Sequence, residues 1–299
     1  MGCIPLKQIL LTTMEKSTCS VIDPGFYTSV QDSGRKTWRS FGVPVSGPMD
    51  RGSFTKANLC AGNRPPLAGL EITLKGPTLL FNDTVWMALY GAAMPVYRND
   101  NLLPPNTAFR CDLGDILKIG AASQGVRSYL AFYRGLQMPT YLGSASQFYP
   151  VTPKGRLVKG DALVFFVEQQ KPKNRLQNQD GDFIKTTADI VLCMRKGVDW
   201  DQCSEEVKTE LETTVFTVGS NNRMGYRLEG ALPKTTTDPL SGIVLPGTVQ
   251  LTPGGTLLVA MRDGQVTGGY LRIGQLTDTA MDFLAQQSTG KKLTIRLVV

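Results

Sequence analysis

The chain contains no histidine in 299 residues. That absence excludes Ser-His-Asp and Cys-His nucleophilic catalysis, two-histidine metal sites and a histidine proton shuttle. Acid–base chemistry is left to Asp, Glu, Lys, Tyr or backbone groups. No uncharged apolar run reaches the length of a membrane span, so no membrane association is expected. No G-x-x-x-x-G-K-[ST] pattern occurs, which leaves ATP binding through a P-loop unsupported. The cysteines Cys3, Cys19, Cys60, Cys111, Cys193 and Cys203 are scattered without a C-x-x-C pair. They make no mixed zinc site without histidine, and no secretory leader invites a disulfide framework. Free thiols, a cytoplasmic location and no bound metal are the expectation. Excess charge is modest: 32 Lys plus Arg against 25 Asp plus Glu leave +7. The basic clusters Arg35, Lys36, Arg39 and Lys171, Lys173, Arg175 are too short for a nucleic-acid stripe, so the surplus suits a small anionic substrate or an acidic partner.

What is present is a core-forming composition, 41% hydrophobic and 19% charged, which rules out a disordered tail. Short apolar runs alternate with Gly and Pro turns: Val85–Tyr90, Ile116–Ile119, Tyr129–Phe132, Leu163–Val167, Thr214–Val218, Thr256–Met261 and Leu293–Val299. Thirty-one glycines and 18 prolines supply those turns, as in barrels or sandwiches. Helix signals are few. Asp50 opens Arg51–Ala61, Ser204 caps Glu205–Leu211 and Asp278 precedes Thr279–Gln287. The class is mostly β with a few peripheral helices.

Four segments are expected: an N-terminal extension outside the core over 1–16, a first β-half over 17–168, a polar linker over 169–188 and a second β-half over 189–299. The extension shows no strand pattern, and Met14 offers an alternative start. An internal echo crosses the linker. A shift of 141 positions places Pro105 on Pro246, Thr107 on Thr248, Gly114 on Gly255 and Leu117 on Leu258. The same shift places Gln124 on Gln265, Tyr129 on Tyr270 and Leu130 on Leu271. Two similar halves, each closing its own barrel, account for it.

The densest motif runs from Asp23 to Arg51, where two Gly-rich turns carry Gln31, Asp32, Arg35, Ser46, Gly47, Met49 and Asp50 into a helix N-terminus. Exposed N–H groups, the helix dipole and Arg35 suit a carboxylate, phosphate or enolate-like oxygen; the alternative is an ordinary turn capped by Asp50. In the second half, Arg223-Met224-Gly225 and Thr267-Gly268-Gly269-Tyr270 offer an arginine and a glycine turn beside a phenol. That turn lets backbone approach a planar ligand, or is a glycine bulge in a strand.

The stretches DPGFYTSVQDSGR, FGVPVSGPMDRGSFTKANLCAGN, LEITLKGPTL, GVRSYLAF, RMGYRLEG and PGTVQLTPGG…DGQVTGGYLRIGQL occur in this order over nearly the whole chain. In them the chain resembles the allophanate hydrolase subunit 2 family, also called the biotin-dependent carboxyltransferase or KipA-like family, which includes the C subunit of 5-oxoprolinase. It departs from the family pattern at Tyr133-Arg134-Gly135, Gly143-Ser144-Ala145-Ser146-Gln147 and Met194–Asp199. The resemblance implies a cyclophilin-like β-barrel architecture with a ligand cleft between halves. It also implies a KipI-like, or allophanate hydrolase subunit 1, partner.

Three functions follow from the resemblance. One is a subunit of an ATP-dependent 5-oxoprolinase, opening 5-oxoproline to glutamate with its partners, among them a lactam-hydrolase-like third subunit. The second is the carboxyltransferase component of a biotin-dependent urea carboxylase, which needs carboxybiotin from elsewhere. The third is a non-catalytic regulator of a KipI-like partner. The first is favoured because it accounts for the polar residues retained; no cofactor is expected on this chain alone, and ATP enters through partner subunits. Asp32 or Asp50 is the expected acid or base. Arg35 and Arg223 are expected to hold the substrate carboxylate or a phosphorylated intermediate, and Tyr270 with nearby backbone N–H groups to polarise an amide carbonyl. Gln31, Ser46, Gly47, Met49, Met224, Gly225, Thr267, Gly268 and Gly269 complete the expected substrate-binding set. All are expected to converge on one cleft.

Overall fold

A computed structural model describes residues 15–176, 190–236 and 239–298. Residues 1–14 of the expected extension, with Met14, and residues 177–188 of the expected linker lie outside the described residues. The first strand begins at Lys16.

The chain is mostly β. Its first half is built from two sheets. One has the strand order Ala162–Phe166, Lys16–Asp23, Thr78–Phe81, Ile116–Ile119, Val96–Arg98, Asn101–Leu102. The other runs Tyr27–Gln31, Gly69–Thr73, Gln124–Phe132, Val85–Ala93, Ala108–Cys111. Period-two patterning decides which faces meet. In Ala162–Phe166, Leu163 and Phe165 are fully buried while their neighbours turn outward. They pack with Phe81, Phe132, Leu70, Ile72 and Met87 in the core between the sheets. The strand Gly69–Thr73 is buried at all but its last position, and it carries Glu71 into the interior.

The second half closes a seven-stranded barrel: Ile190–Lys196, Leu271–Leu276, Thr248–Leu251, Leu257–Ala260, Gly225–Glu229, Phe216–Asn221, Lys292–Leu297. Parallel pairing of Lys292–Leu297 with Ile190–Lys196 makes the closure. Leu192, Phe216, Leu228, Val249, Leu257, Ile273 and Ile295 fill it, and Met49 of the first half joins this core.

The internal echo survives locally. Its shift carries Ile116–Ile119 onto Leu257–Ala260, and the turns before them use Gly114 and Gly255 at φ +84° and +83°. The pairings differ. Thr248–Leu251 and Leu257–Ala260 form a hairpin within the barrel. Their counterparts Ala108–Cys111 and Ile116–Ile119 enter separate sheets. The expectation that each half closes its own barrel is thus corrected for the first half: similar turns there feed two packed sheets.

Helix α1, Arg51–Cys60, starts at Asp50, whose carboxylate accepts the Ser53 N–H at 2.8 Å. Its inner face, Phe54, Ala57 and Cys60, packs on Ala88, Tyr129 and Ala131 of the five-stranded sheet. Helix α2, Glu205–Glu210, is capped by Ser204. Helix α3, Asp278–Ala285, is capped by Thr277 rather than Asp278, which sits in the first turn where the dipole favours a carboxylate. Among the described residues no helix is long and apolar enough to cross a membrane. The described start of the polar stretch lies along the end of α1, where Arg175 donates its N–H to the Leu59 carbonyl and its Nε to the Gly62 carbonyl, each at 3.0 Å. Cys19, Cys60, Cys111, Cys193 and Cys203 are all free. Burial pushes the Cys19 thiol up to about 12, which makes it unreactive.

Candidate functional site: a cleft between the halves

A cavity of about 670 Å³ opens between the two halves. The first half lines it with Phe26, Tyr27, Leu74, Arg127 and the loop Gln147–Tyr149; the second lines it with Asn221–Met224, Asp263, Ser288 and Thr289. Two local features shape the walls. The tight connection before Gly225–Glu229 presents Asn222, whose side chain accepts the Met224 N–H at 2.7 Å. The strand Gln124–Phe132 carries a bulge: its register against Val85–Ala93 slips between Gln124 and Ser128 and turns Arg127 toward the second half. Gly91 opposite the bulge adopts φ +122°, and a Cβ there would lie 2.4 Å from the Arg127 carbonyl. Only glycine fits that approach.

Behind the cleft lies a buried ionic network. Arg223 donates Nε to Asp263 Oδ2 at 2.6 Å and Nη2 to Asp263 Oδ1 at 3.2 Å and to the Gly47 carbonyl at 2.8 Å. Its Nη1 donates to Glu71 Oε1, and Nη2 makes a longer contact of 3.4 Å with Gln31 Oε1. Glu71 Oε2 accepts from the Met49 N–H at 2.7 Å and from the Tyr129 hydroxyl at 2.9 Å. Burial alone would raise the Glu71 carboxyl, but Arg223, Arg127 and these donors outweigh it and hold it below its ordinary 4.5. Arg223 is likewise buried, which disfavours its charge, yet Asp263 and Glu71 more than restore it. Burial and the neighbouring Glu71 and Asp50 push the Tyr129 phenol well up, so it stays a neutral donor.

Two further residues bind the halves together. Gln286, just past α3, accepts the Val126 and Arg127 N–H groups on Oε1 at 3.0 and 2.9 Å. Its Nε2 donates to the Arg127 carbonyl and to Asp50 Oδ2, each at 2.8 Å. The bulge leaves those backbone groups without a strand neighbour, and the glutamine amide takes that place. Arg127 Nη1 donates to the Tyr226 hydroxyl at 2.8 Å and to the Ala285 carbonyl.

A third contact titrates. Asp282 of α3 accepts the Arg51 and Gly52 N–H groups at the start of α1, at 2.9 and 3.0 Å. Burial first, then the Asp50 carboxylate, raises Asp282 from 3.8 to about 6, against the opposing pull of the two N–H groups and Arg262. A raised carboxyl stabilises the fold fully below its unfolded value and loses that contribution as pH rises through the folded value. Asp282 therefore contributes a fall in stability between about pH 4 and pH 6, opposite in sign to Glu71. Denaturant titrations across this window should show a pH slope in the native protein that is absent from Asp282→Asn; equal slopes would refute the assignment.

The residues expected from sequence do not all meet here. Arg223 and Met224 line the cleft, while Gln31, Gly47 and Met49 stand behind it through Arg223 and Glu71. Asp50 caps α1 and receives Gln286. Asp32 holds a neighbouring loop, accepting from Gly34 N–H at 2.9 Å, Ala145 N–H at 2.7 Å and the hydroxyls of Ser144 and Ser146. Burial opposes its charge, but those four donors keep it below the ordinary range. Arg35 is 1% exposed and donates to the carbonyls of Tyr141 and Ser146. Ser46, buried at φ +58°, donates its N–H to the Arg262 carbonyl. Gly225 pairs with Ala260 inside the barrel wall. Thr267–Gly268 pairs with Gly242–Ile243, Gly268 backs onto Gln250, and Gly269 and Tyr270 are exposed. The expected convergence of Arg35 and Tyr270 is thereby corrected: carbonyls of the first half hold Arg35, and Tyr270 stands at another edge.

Sequence reading missed Glu71, Arg127, Asp263 and Gln286. A signal existed for two of them. Glu71 interrupts Leu70 and Ile72 in an otherwise apolar strand, and Arg127 does the same between Val126 and the run Tyr129–Phe132. A charge amid a fully buried run implies a buried partner.

The class of this two-part β architecture, with a polar seam and a cleft between its parts, follows from comparison with known proteins. The pattern of the Carboxyltransferase domain, subdomain A and B, matches residues 41–297, and the chain belongs to that family. The C subunit of 5-oxoprolinase from Escherichia coli (strain K12) is 33% identical over 282 residues, which is 91% of this chain and 89% of that protein. The urea amidolyase of Lachancea kluyveri is 40% identical over 247 residues, 75% of this chain but 13% of that longer protein. The crystal structure of the Kluyveromyces lactis urea carboxylase aligns with a TM-score of 0.85 at 28% identity, over 96% of this chain and 28% of that one.

Proposed function

We propose that this chain is one subunit of an ATP-dependent 5-oxoprolinase, handling 5-oxoproline in the cleft while partner subunits supply ATP chemistry and lactam hydrolysis. The observation that carries this reading is mutual coverage: the similarity to the C subunit of the Escherichia coli 5-oxoprolinase spans about nine-tenths of both chains. The cleft suits a small flat amide, with Phe26, Phe148 and Met224 as apolar walls and Asn222, Ser288, Thr289 and Gln147 as polar ones. A KipI-like subunit and a lactam-hydrolase-like subunit are the partners this reading requires.

A second reading, carboxyl transfer from carboxybiotin to urea, is favoured by the higher identity to urea amidolyase over the shared span. Reconstitution separates the two. Mixed with KipI-like and lactam-hydrolase-like subunits, the chain should yield glutamate from 5-oxoproline with ATP consumed, and none when it is left out. ATP-dependent turnover by this chain alone would overturn the division of labour. Carboxylation of urea on addition of a biotin carboxylase and biotin carrier, without glutamate formation in the first mixture, would replace the first reading by the second.

A further inference from the structure

An arginine presents two hydrogen-bonding faces to a carboxylate, and the side-on face, Nε with Nη2, takes both oxygens at once. Among the described residues the chain turns that face on its own acids at Arg110, where it meets one oxygen of Asp112, and on both oxygens at Arg223 and Arg272. Arg223 grips Asp263 through Nε at 2.6 Å and Nη2 at 3.2 Å. Arg272 grips Asp199 in the same way, at 2.7 and 3.2 Å.

Arg127 breaks the pattern. Its Nη1 is anchored on the Tyr226 hydroxyl and the Ala285 carbonyl, and its guanidinium lies 6.0 Å from the Tyr226 ring centre. Its Nε is buried with no partner, and among the described residues nothing accepts from Nη2. The residue is 3% exposed, yet it forms part of the cleft wall. A buried guanidinium with a bare donor is costly, and an acceptor supplied by a ligand removes that cost. Arg262 also has bare Nε and Nη2 atoms, but it faces the Asp282 carboxylate at 4.0 Å. Both are cations at neutral pH, but the charge is held less firmly at Arg262. Burial, with Arg51 nearby, lowers Arg262 to about 10, whereas at Arg127 the lowering by burial is outweighed by Tyr226 and Glu71.

We propose that the side-on face of Arg127 receives the carboxylate of the cleft's ligand, which is therefore an acid joined to a small planar amide. The proposal rests on reading the cleft as the substrate site. It moves the anion-holding role from Arg35 and Arg223 to Arg127, whose Nη1 is committed to Tyr226 and Ala285 while its Nε stays unpartnered in a residue of the cleft wall. Two sources share this chemistry: a lactam acid such as 5-oxoproline, and an N-carboxylated urea.

The test is calorimetric titration of the full chain with two matched pairs: 5-oxoproline against 5-oxoprolinamide, and freshly prepared N-carboxyurea against biuret. In at least one pair the acid should bind about tenfold or more tighter than its neutral analogue, as expected for a bidentate charge-assisted contact. Arg127→Gln should abolish that preference while leaving the neutral analogue's affinity nearly unchanged, although the melting temperature falls with the lost contacts to Tyr226 and Ala285. Tyr226→Phe, which removes an anchor and leaves the face intact, should keep the preference. Which pair shows it identifies the source. Equal binding of acid and amide by the native protein overturns the proposal, as does a parallel loss of both in Arg127→Gln, which marks a purely structural arginine. The reading of the cleft fails separately. If no member of either pair binds but acetate shifts the Arg127 Nε–H resonance, the arginine face stands and both substrate assignments fall. If acetate leaves that resonance unmoved as well, the proposal is overturned.

Discussion

Arg223→Ala is expected to cost about 3–5 kcal/mol of stability, the scale on which a buried ion pair is broken from one side. The substitution strands two carboxylates. Glu71 is fully buried and Asp263 nearly so, and each has Arg223 as its ion-pair partner. Glu71 would keep the Met49 N–H, the Tyr129 hydroxyl and the Arg127 charge but lose Arg223, the largest of the pulls that oppose burial, so its carboxyl would shift upward. That shift gives the loss a pH signature. In the native protein Glu71 contributes stability above its ordinary 4.5, lost as pH falls through its lower folded value. In Arg223→Ala the same group takes its proton at a higher pH, so the gap between the two proteins should narrow as pH falls below about 5. Urea titrations at pH 7.5 and pH 4.5 measure this. Arg223→Met combined with Glu71→Gln and Asp263→Asn should recover much of the loss, because no uncompensated charge is left. A loss under about 1 kcal/mol at pH 7.5, the cost of an ordinary hydrogen bond, would show that the network is not held by its charges.

Gln286→Ala is the second large effect. The native amide satisfies two strand N–H groups and one strand carbonyl that the bulge at Arg127 leaves unpaired, and donates to Asp50. Alanine offers nothing to either N–H group. Leaving a buried donor unsatisfied costs about 1–3 kcal/mol each, so a total of about 2–6 kcal/mol is expected for the two N–H groups. The loss falls on the seam between the halves, because Gln286 follows α3 while Val126, Arg127 and Asp50 belong to the first half. Hydrogen exchange should localise it: the Val126 and Arg127 amides should lose protection, while Leu192 and Phe216 in the barrel core should keep theirs up to global unfolding. Undiminished protection at Val126 and Arg127 would mean that Gln286 is a passive neighbour.

Much of this architecture was legible in the chain. Short apolar runs bounded by Gly and Pro turns marked strands at Ile116–Ile119 and Val85–Tyr90, and the structure forms them as Ile116–Ile119 and Val85–Ala93. Asp50 and Ser204 marked two helix starts, since their short acceptors satisfy N–H groups that a helix cannot pair internally. The third start lay one residue earlier than Asp278. Thr277 and Asp278 are both good caps, and only backbone direction after Leu276 chose between them.

The site was legible in pieces rather than as a whole. Arg223 and Met224 were picked out as a pair and line the cleft. Arg35 was picked out for the same reason, as an arginine beside glycine turns, and is buried on two carbonyls. Sequence gives the type of donor but not what lies opposite it, and for a guanidinium the opposite group decides between structure and binding. Composition and periodicity determined by themselves that the chain is mostly β, that it builds two halves, and that any proton chemistry runs without histidine. Those are properties of local sterics, residue inventory and internal similarity, read along the chain without knowing what packs on what. Only the tertiary structure decided that, among the described residues, a closed barrel forms in the second half and two packed sheets in the first, that Glu71 and Asp263 neutralise Arg223, and that Arg127 keeps an unpartnered Nε. Each of these depends on partners far apart in the chain, and no window of sequence contains the distance between them.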